Sequence, residues 1–391
     1  MLNTPFSPWP FFTKEEADAV SRVILSNRVN YWTGNESREF ECEFAEYCET
    51  SHAIALANGT LALDLALNAL NVGPGDEVVV TPRTFLASAS SIVNAGATPV
   101  FADVDRDSQN ITAETIRAVL TERTKAIICV HLAGLPCDMD PIMDLAAKKN
   151  LYVIEDCAQA HGSKYKGKPV GSIGHIGAWS FCQDKIMTTG GEGGMVTTND
   201  EVLWKKMWSF KDHGKCYDAV YNTDHPRGFR WLHNSFGTNW RITEMQSVIG
   251  RIQLKRMPEW KRQRQSNAAA ITEVCKTIPA LRVPEFPAYM EHACYKHYVF
   301  VRPEMLKDDW DRDRIVDEIN AVGVPCYQGS CSEIYLEKAF DNTDFRPKER
   351  LVVAQELGDT SLMFLVHPTL TADEISKTVQ GIQKIMKEAS L

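Results

Sequence analysis

The chain has 391 residues, 44% of them hydrophobic and 24% charged, with a formal net charge of −9. That length can bury a large core and predicts two domains, and the composition is that of an ordinary globular enzyme. An acidic balance without a basic stripe argues against nucleic acid as a partner, and no apolar run reaches the length of a membrane span.

Met1 to Pro10 has neither the basic start nor the apolar core of a secretory leader, so a cytoplasmic location is expected. Eleven cysteines without a Cys-x-x-Cys pair predict reduced thiols and no metal site. The first clear element is a Leu/Ala-rich helix over 61–70, begun at Asn58-Gly59-Thr60 and ended by Gly73-Pro74-Gly75. Residues 77–80 then read as a short buried strand. A regular alternation follows, with helices over 84–94, 111–120 and 141–149, and strands over 99–102, 126–130 and 151–155. Such an alternation predicts an α/β fold with a mostly parallel sheet covered on both faces.

Beyond Asp156 the pattern changes. Strands over 178–181 and 195–198 flank a segment containing Lys185, and 216–240 reads as a long irregular loop. Residues 242–262 form one long predicted helix, and the domain boundary is placed in or after it. A large domain over 1–255 and a small C-terminal α+β domain over 256–391 result. Strands over 298–301 and 361–365, with helices over 312–322 and 372–387, fill the second.

Val153-Ile154-Glu155-Asp156 ends its strand in a carboxylate, at the edge where open α/β sheets bind ligands. Lys185 lies between Trp179-Ser180-Phe181 and the glycine turn over 190–194, where a long charged side chain has little structural use. Singly, the first is an ordinary turn carboxylate and the second a solvated amine. Together they suggest pyridoxal phosphate (PLP), which needs an amine to carry it and an acid to keep its ring nitrogen protonated. Asn58-Gly59-Thr60 offers a phosphate the free N–H groups and dipole of a helix start. Ser180 could add a hydroxyl, and Phe85 a ring to lie against a flat cofactor. Neither Gly171, Gly174 and Gly177 nor the 190–194 turn fits a dinucleotide fingerprint or P-loop. His131, His161 and His213 have no metal-ligand spacing.

Several longer stretches then carry a resemblance. They are Phe40-Glu41-Cys42-Glu43-Phe44-Ala45, Asn58-Gly59-Thr60, Gly75-Asp76-Glu77-Val78, Thr84-Phe85 and Glu155-Asp156-Cys157-Ala158-Gln159-Ala160-His161-Gly162. Ser180-Phe181 with Lys185, Gly191-Glu192-Gly193-Gly194, and Asn239-Trp240-Arg241 with Glu244-Met245-Gln246 complete the set. Over nearly its whole length the chain resembles the sugar aminotransferases typified by DegT and StrS, which are fold type I PLP enzymes. The resemblance implies Lys185 as the Schiff-base lysine and proton shuttle, and Asp156 as partner of the pyridine nitrogen. It implies Gln159 as a contact of the ring hydroxyl, Phe85 as the stacking ring, and Gly59, Thr60 and Ser180 as the phosphate site. Asn239 would reach the cofactor phosphate of the neighbouring subunit, making a homodimer with shared sites. Tyr31, Trp32, Arg230, Arg241 and Tyr327 are the expected substrate contacts.

The implied reaction moves an amino group from an amino acid, L-glutamate, to a nucleotide-linked keto sugar, for polysaccharide or glycoconjugate biosynthesis. Two alternatives stand beside it. A branch of the family dehydrates nucleotide sugars, but it has histidine where this chain has Lys185. A non-catalytic PLP-binding regulator is opposed by the lack of a helix-turn-helix or basic patch. The Gly190-Gly191 pair before Glu192 is slightly longer than the family's usual turn.

Overall fold

Short apolar strands buried along nearly their whole length build the centre of the molecule. In the computed structural model, which describes residues 5–391, they form one seven-stranded sheet. Its spatial order is His52–Leu56, Gly194–Thr198, Ile176–Ser180, Tyr152–Asp156, Thr124–Val130, Glu77–Val80, Thr98–Phe101. Gly194–Thr198 runs antiparallel to both neighbours, whereas the other pairings are parallel. Residues 1–4, part of the segment read as lacking a leader, lie outside the described residues.

Side chains along these strands alternate between two cores. Val78, Val80, Ile128 and Ile154 face one, and Val79, Ile127, Cys129 and Val153 the other, as a period of two requires. Burial on both faces explains why the strands read as unbroken apolar runs. The Leu/Ala-rich helix is Gly59–Ala69, two residues ahead of expectation, because the Asn58 side chain accepts from Leu61 N at 3.0 Å.

Four helices longer than one turn escaped the sequence reading: Lys14–Leu25, Glu36–Tyr47, Val352–Thr360 and Glu201–Lys211. The last carries Trp204, Lys205, Lys206, Trp208 and Lys211 around its circumference, so no clean apolar stripe announces it. The expected loop over 216–240 contains a one-turn helix, Tyr217–Tyr221. The long helix is Glu244–Cys275, about 48 Å at the usual rise. The polar run over 261–266 hides its second half, yet Ala268, Ile271 and Cys275 bury one face in the C-terminal core. The boundary placed between 255 and 256 therefore falls inside a continuous helix.

The C-terminal part holds a four-stranded antiparallel sheet in the order Leu281–Arg282, His297–Val301, Ser361–Phe364, Cys326–Tyr327. Helices Arg312–Ala321 and Ala372–Ala389 cover it through Ile315, Ile319, Ile382 and Ile385. Asp103 fastens this part to the first sheet, accepting from Val353 N at 3.0 Å and Ala354 N at 2.9 Å at a helix start. All eleven cysteines are unpaired. Among the described residues no helix is long and apolar enough to cross a membrane.

Candidate active site

Strand direction brings Asn58, Thr84, Asp156 and Ser180 to one edge, since each ends or follows a parallel strand. A cavity of about 870 Å³ opens there. Eight of the residues singled out from sequence line it: Gly59, Thr60, Phe85, Asp156, Gln159, Ser180, Lys185 and Tyr327.

Asp156 is buried at the end of its strand. Its carboxylate accepts from Ser88 Oγ at 2.8 Å and Ala158 N at 3.1 Å. Because Ser88 spends its proton on Asp156, the 3.0 Å contact between Thr84 Oγ1 and Ser88 Oγ has Thr84 as donor. Burial pushes the Asp156 carboxyl above its ordinary range, against the Ser88 and Ala158 hydrogen bonds and the charge of Lys185. A protonated ring nitrogen would supply the positive partner that this buried acid lacks. Gln159 is aimed in a similar way. Ala133 N donates to its Oε1 at 2.8 Å, which leaves the amide NH₂ for a ligand oxygen. Ala133 itself holds φ 56 in a Leu132–Gly134 turn, a backbone state costing about 1–2 kcal/mol for a side-chain-bearing residue.

At the helix start, Asn58 caps Leu61, and Gly59 N and Thr60 N point out of the first turn. Glycine is required at both close approaches. A Cβ on Gly59 would stand 2.5 Å from Ser180 Cβ, and one on Gly194 2.2 Å from Asn58 O. The result is an anion cradle of bare backbone with the Ser180 hydroxyl beside it. The cradle, the buried acid and the lysine together fit PLP.

Lys185 is anchored through its backbone, where Trp9 Nε1 donates to its carbonyl at 2.8 Å. Its Nζ stands 5.5 Å from the centroid of Tyr295, and the Tyr295 hydroxyl donates to Asp184 Oδ2. Burial would raise the Asp184 carboxyl, but the Lys185 charge, that hydroxyl and Lys296 hold it below the usual range. Lys296 also lines the cavity, and burial pushes its ammonium down to about 8. Neither Tyr295 nor Lys296 was singled out from sequence. A lysine set within the apolar run over 293–301 was the available signal.

The expected binders Tyr31, Trp32, Arg230, Asn239 and Arg241 do not line this cavity. Tyr31 is 2% exposed, and its hydroxyl already donates to Glu41 Oε2 at 3.0 Å, so within its own chain it is an interior residue. Trp32 Nε1 and Arg241 Nη1 donate to the two oxygens of Asp212 at 2.8 and 2.6 Å. Asn239 is exposed and bridges Asp212 through the backbone. Arg230 is exposed on a segment that also presents Phe229, Trp231 and Phe236, 79%, 82% and 100% exposed. That apolar display was also missed.

His131, Glu155 and Cys157 cluster behind the site. Cys137 N donates to His131 Nδ1 at 3.0 Å, so the other nitrogen carries the proton toward Glu155 at 2.9 Å. Glu155 also receives Gly171, Ile173 and Gly174 N–H groups. The cluster is thus a satisfied scaffold under the strand that ends in Asp156.

A mostly parallel sheet with a cavity so furnished belongs to a fold type I PLP-dependent transferase. Comparison with known proteins narrows the class. The chain is similar to an aminotransferase from Psychrobacter cryohalolentis solved by X-ray crystallography. Its TM-score is 0.97 and its identity 66%, over 98% of this chain and 99% of that one. It is 36% identical to GDP-perosamine synthase of Caulobacter vibrioides over 371 residues, 93% of this chain and 94% of the relative. It is 40% identical over 369 residues to a pleiotropic regulatory protein of Geobacillus stearothermophilus, covering 94% and 93%. Residues 10–383 match the DegT/DnrJ/EryC1/StrS aminotransferase family, and the chain belongs to it.

Proposed function

We propose that the protein transfers an amino group from L-glutamate to the keto group of a nucleotide-linked sugar, for polysaccharide or glycoconjugate biosynthesis. The observation that carries this reading is the convergence of Lys185, Asp156 and the Asn58–Thr60 helix start on one cavity. Bound there, PLP supplies the electron sink for amino-group transfer. Asp156 holds the ring nitrogen's proton, and Gln159 donates its amide to the ring oxygen. Gly59 N, Thr60 N and Ser180 Oγ take the phosphate. Phe85, 71% exposed at the cavity, offers its face to the ring. Lys185 Nζ would hold the cofactor and, once the incoming amine displaces it, its free amine would take the proton from the substrate carbon. GDP-perosamine synthase supports a nucleotide-sugar acceptor by its name.

The yellow absorbance of the PLP-loaded protein should bleach as L-glutamate is titrated in, and a nucleotide-linked keto sugar should restore it. A band that survives glutamate and every other α-amino acid would overturn the transaminase reading. It would put in front the regulator reading, which the Geobacillus relative's name favours.

The working unit is a homodimer with shared sites, located in the cytoplasm. Exposed Phe229, Trp231 and Phe236 form an apolar surface of the kind that a partner subunit covers, on the segment leading to Asn239. Asn239 then serves the phosphate of the neighbouring site, with Trp32, Arg230 and Arg241 on the substrate side of the same junction. Asn239→Ala and Lys185→Ala should each be nearly inactive alone. Mixed hybrid dimers should recover about one working site each. Hybrids that form without recovering activity would remove Asn239 from the shared site.

A further inference from the structure

The cavity wall holds a second amine that transamination as described leaves unused. Lys296 Nζ lies 4.8 Å from the centroid of Tyr295, the same ring that Lys185 Nζ approaches at 5.5 Å. Among the described residues it has no hydrogen bond and no carboxylate within 4.0 Å. The nearby acid, Asp184, is already engaged by the Tyr295 hydroxyl. Arg264 and Lys185 are the other charges acting on it, and both are positive. A part-buried ammonium in that company costs desolvation that the Asp184 charge and the Tyr295 ring only partly offset. Its place suits an anion brought by a ligand.

The backbone fixes which part of the cavity this is. Tyr295 N donates to Ala133 O at 2.9 Å, and Ala133 N donates to Gln159 Oε1 at 2.8 Å. Lys296 is therefore tethered to the turn that aims Gln159. The phosphate cradle is built by other elements, around Asn58 and Ser180. Tyr327, 47% exposed, marks the open side of the cavity, where a bulky nucleotide has room. Lys296 is instead a neighbour of Lys185, within reach of a small reactant. An α-amino acid carries its nitrogen and its carboxylate on one carbon. A cation sharing the Tyr295 ring with Lys185 can hold the carboxylate while the nitrogen is exchanged at the lysine.

We infer that Lys296 receives a carboxylate of the amino donor and so positions the donor nitrogen at Lys185. The inference rests on the transaminase reading above. It makes Lys296 a determinant of donor class, favouring carboxylate-bearing amines over simple ones.

The test uses the PLP-loaded protein and three forms, wild type, Lys296→Gln and Lys296→Arg. Glutamine keeps length and polarity without charge, and arginine keeps charge. All three should retain the yellow band. The L-glutamate concentration that half-bleaches it should rise about 10- to 100-fold in Lys296→Gln and return to within about tenfold in Lys296→Arg. Glutarate, a dicarboxylate with no amine to exchange, should bind wild type by calorimetry and lose that affinity in Lys296→Gln. The KM for the keto-sugar nucleotide should stay put. Unchanged glutamate and glutarate affinities in Lys296→Gln would overturn the inference while leaving transamination intact. A rise confined to the sugar-nucleotide KM would overturn it as well, making Lys296 a diphosphate contact. Failure of wild type to bleach with any α-amino acid would sink the transaminase reading and the inference together.

Discussion

Lys185→Ala should leave a folded chain that neither holds PLP covalently nor turns over, a loss on the order of 10⁴-fold. The fold has little stake in this side chain. The structural contact of Lys185 is its carbonyl, which Trp9 Nε1 reaches at 2.8 Å and which alanine keeps. Its Nζ faces Tyr295 and the cavity rather than a carboxylate partner. Stability should therefore stay within about 0.5 kcal/mol of wild type, read as an unchanged thermal midpoint of the cofactor-free proteins. The visible spectrum should lose the band of the lysine-bound cofactor, and externally supplied amines should restore part of the turnover. Ordinary activity in the variant would remove Lys185 from the chemistry.

Asp156→Asn should be nearly as damaging to activity, with a loss of about 10²- to 10⁴-fold, and should affect stability in the opposite direction. A neutral amide cannot hold a proton on the ring nitrogen by charge. Yet in the cofactor-free chain the native carboxylate is a burden. Burial raises its pKa, so between the unfolded and folded values the folded state binds the extra proton. Stability is then greatest below the unfolded value and falls as pH rises through the folded one. The Asn variant lacks this slope, so its advantage in thermal midpoint without cofactor should grow across that window. Added PLP should raise the midpoint of wild type more than that of Asp156→Asn. Equal cofactor stabilisation in both would show that Asp156 does not face the ring nitrogen.

The parallel sheet and its functional edge were legible because strands buried on both faces leave uninterrupted apolar runs. Asp156 could be placed at that edge because it ends its strand, whereas Asn58 and Ser180 entered as phosphate contacts and the strand His52–Leu56 before Asn58 went unread. Periodicity failed where burial is not apolar. Glu201–Lys211 buries Lys211 together with Met207 and Trp208, and Glu244–Cys275 buries Arg264 and Asn267 within a polar run. The C-terminal contribution to the site was invisible for a different reason. Tyr295 and Lys296 meet Lys185 only through tertiary folding, and nothing local distinguishes them from a strand approach. Tyr31 shows the converse. Its segment resembles the one that lines the sugar pocket in the family, yet within its own chain its hydroxyl donates to Glu41 in the interior.

The turn at Ala133 bears on the order in which the protein is assembled. Its carbonyl and that of Gly134 are answered by Tyr295 N and Ala293 N, each at 2.9 Å, from chain made more than 150 residues later. During synthesis the seven-stranded sheet can be complete while this turn still lacks the bonds that compensate its left-handed residue. Gln159, which takes its aim from Ala133 N, is then unsupported. Cofactor selectivity should thus be acquired late, after the C-terminal segment docks. A nascent chain halted before residue 293 would own the sheet, the anion cradle, Asp156 and Lys185, but without the bonds that set Gln159 it should hold PLP less tightly than the full chain.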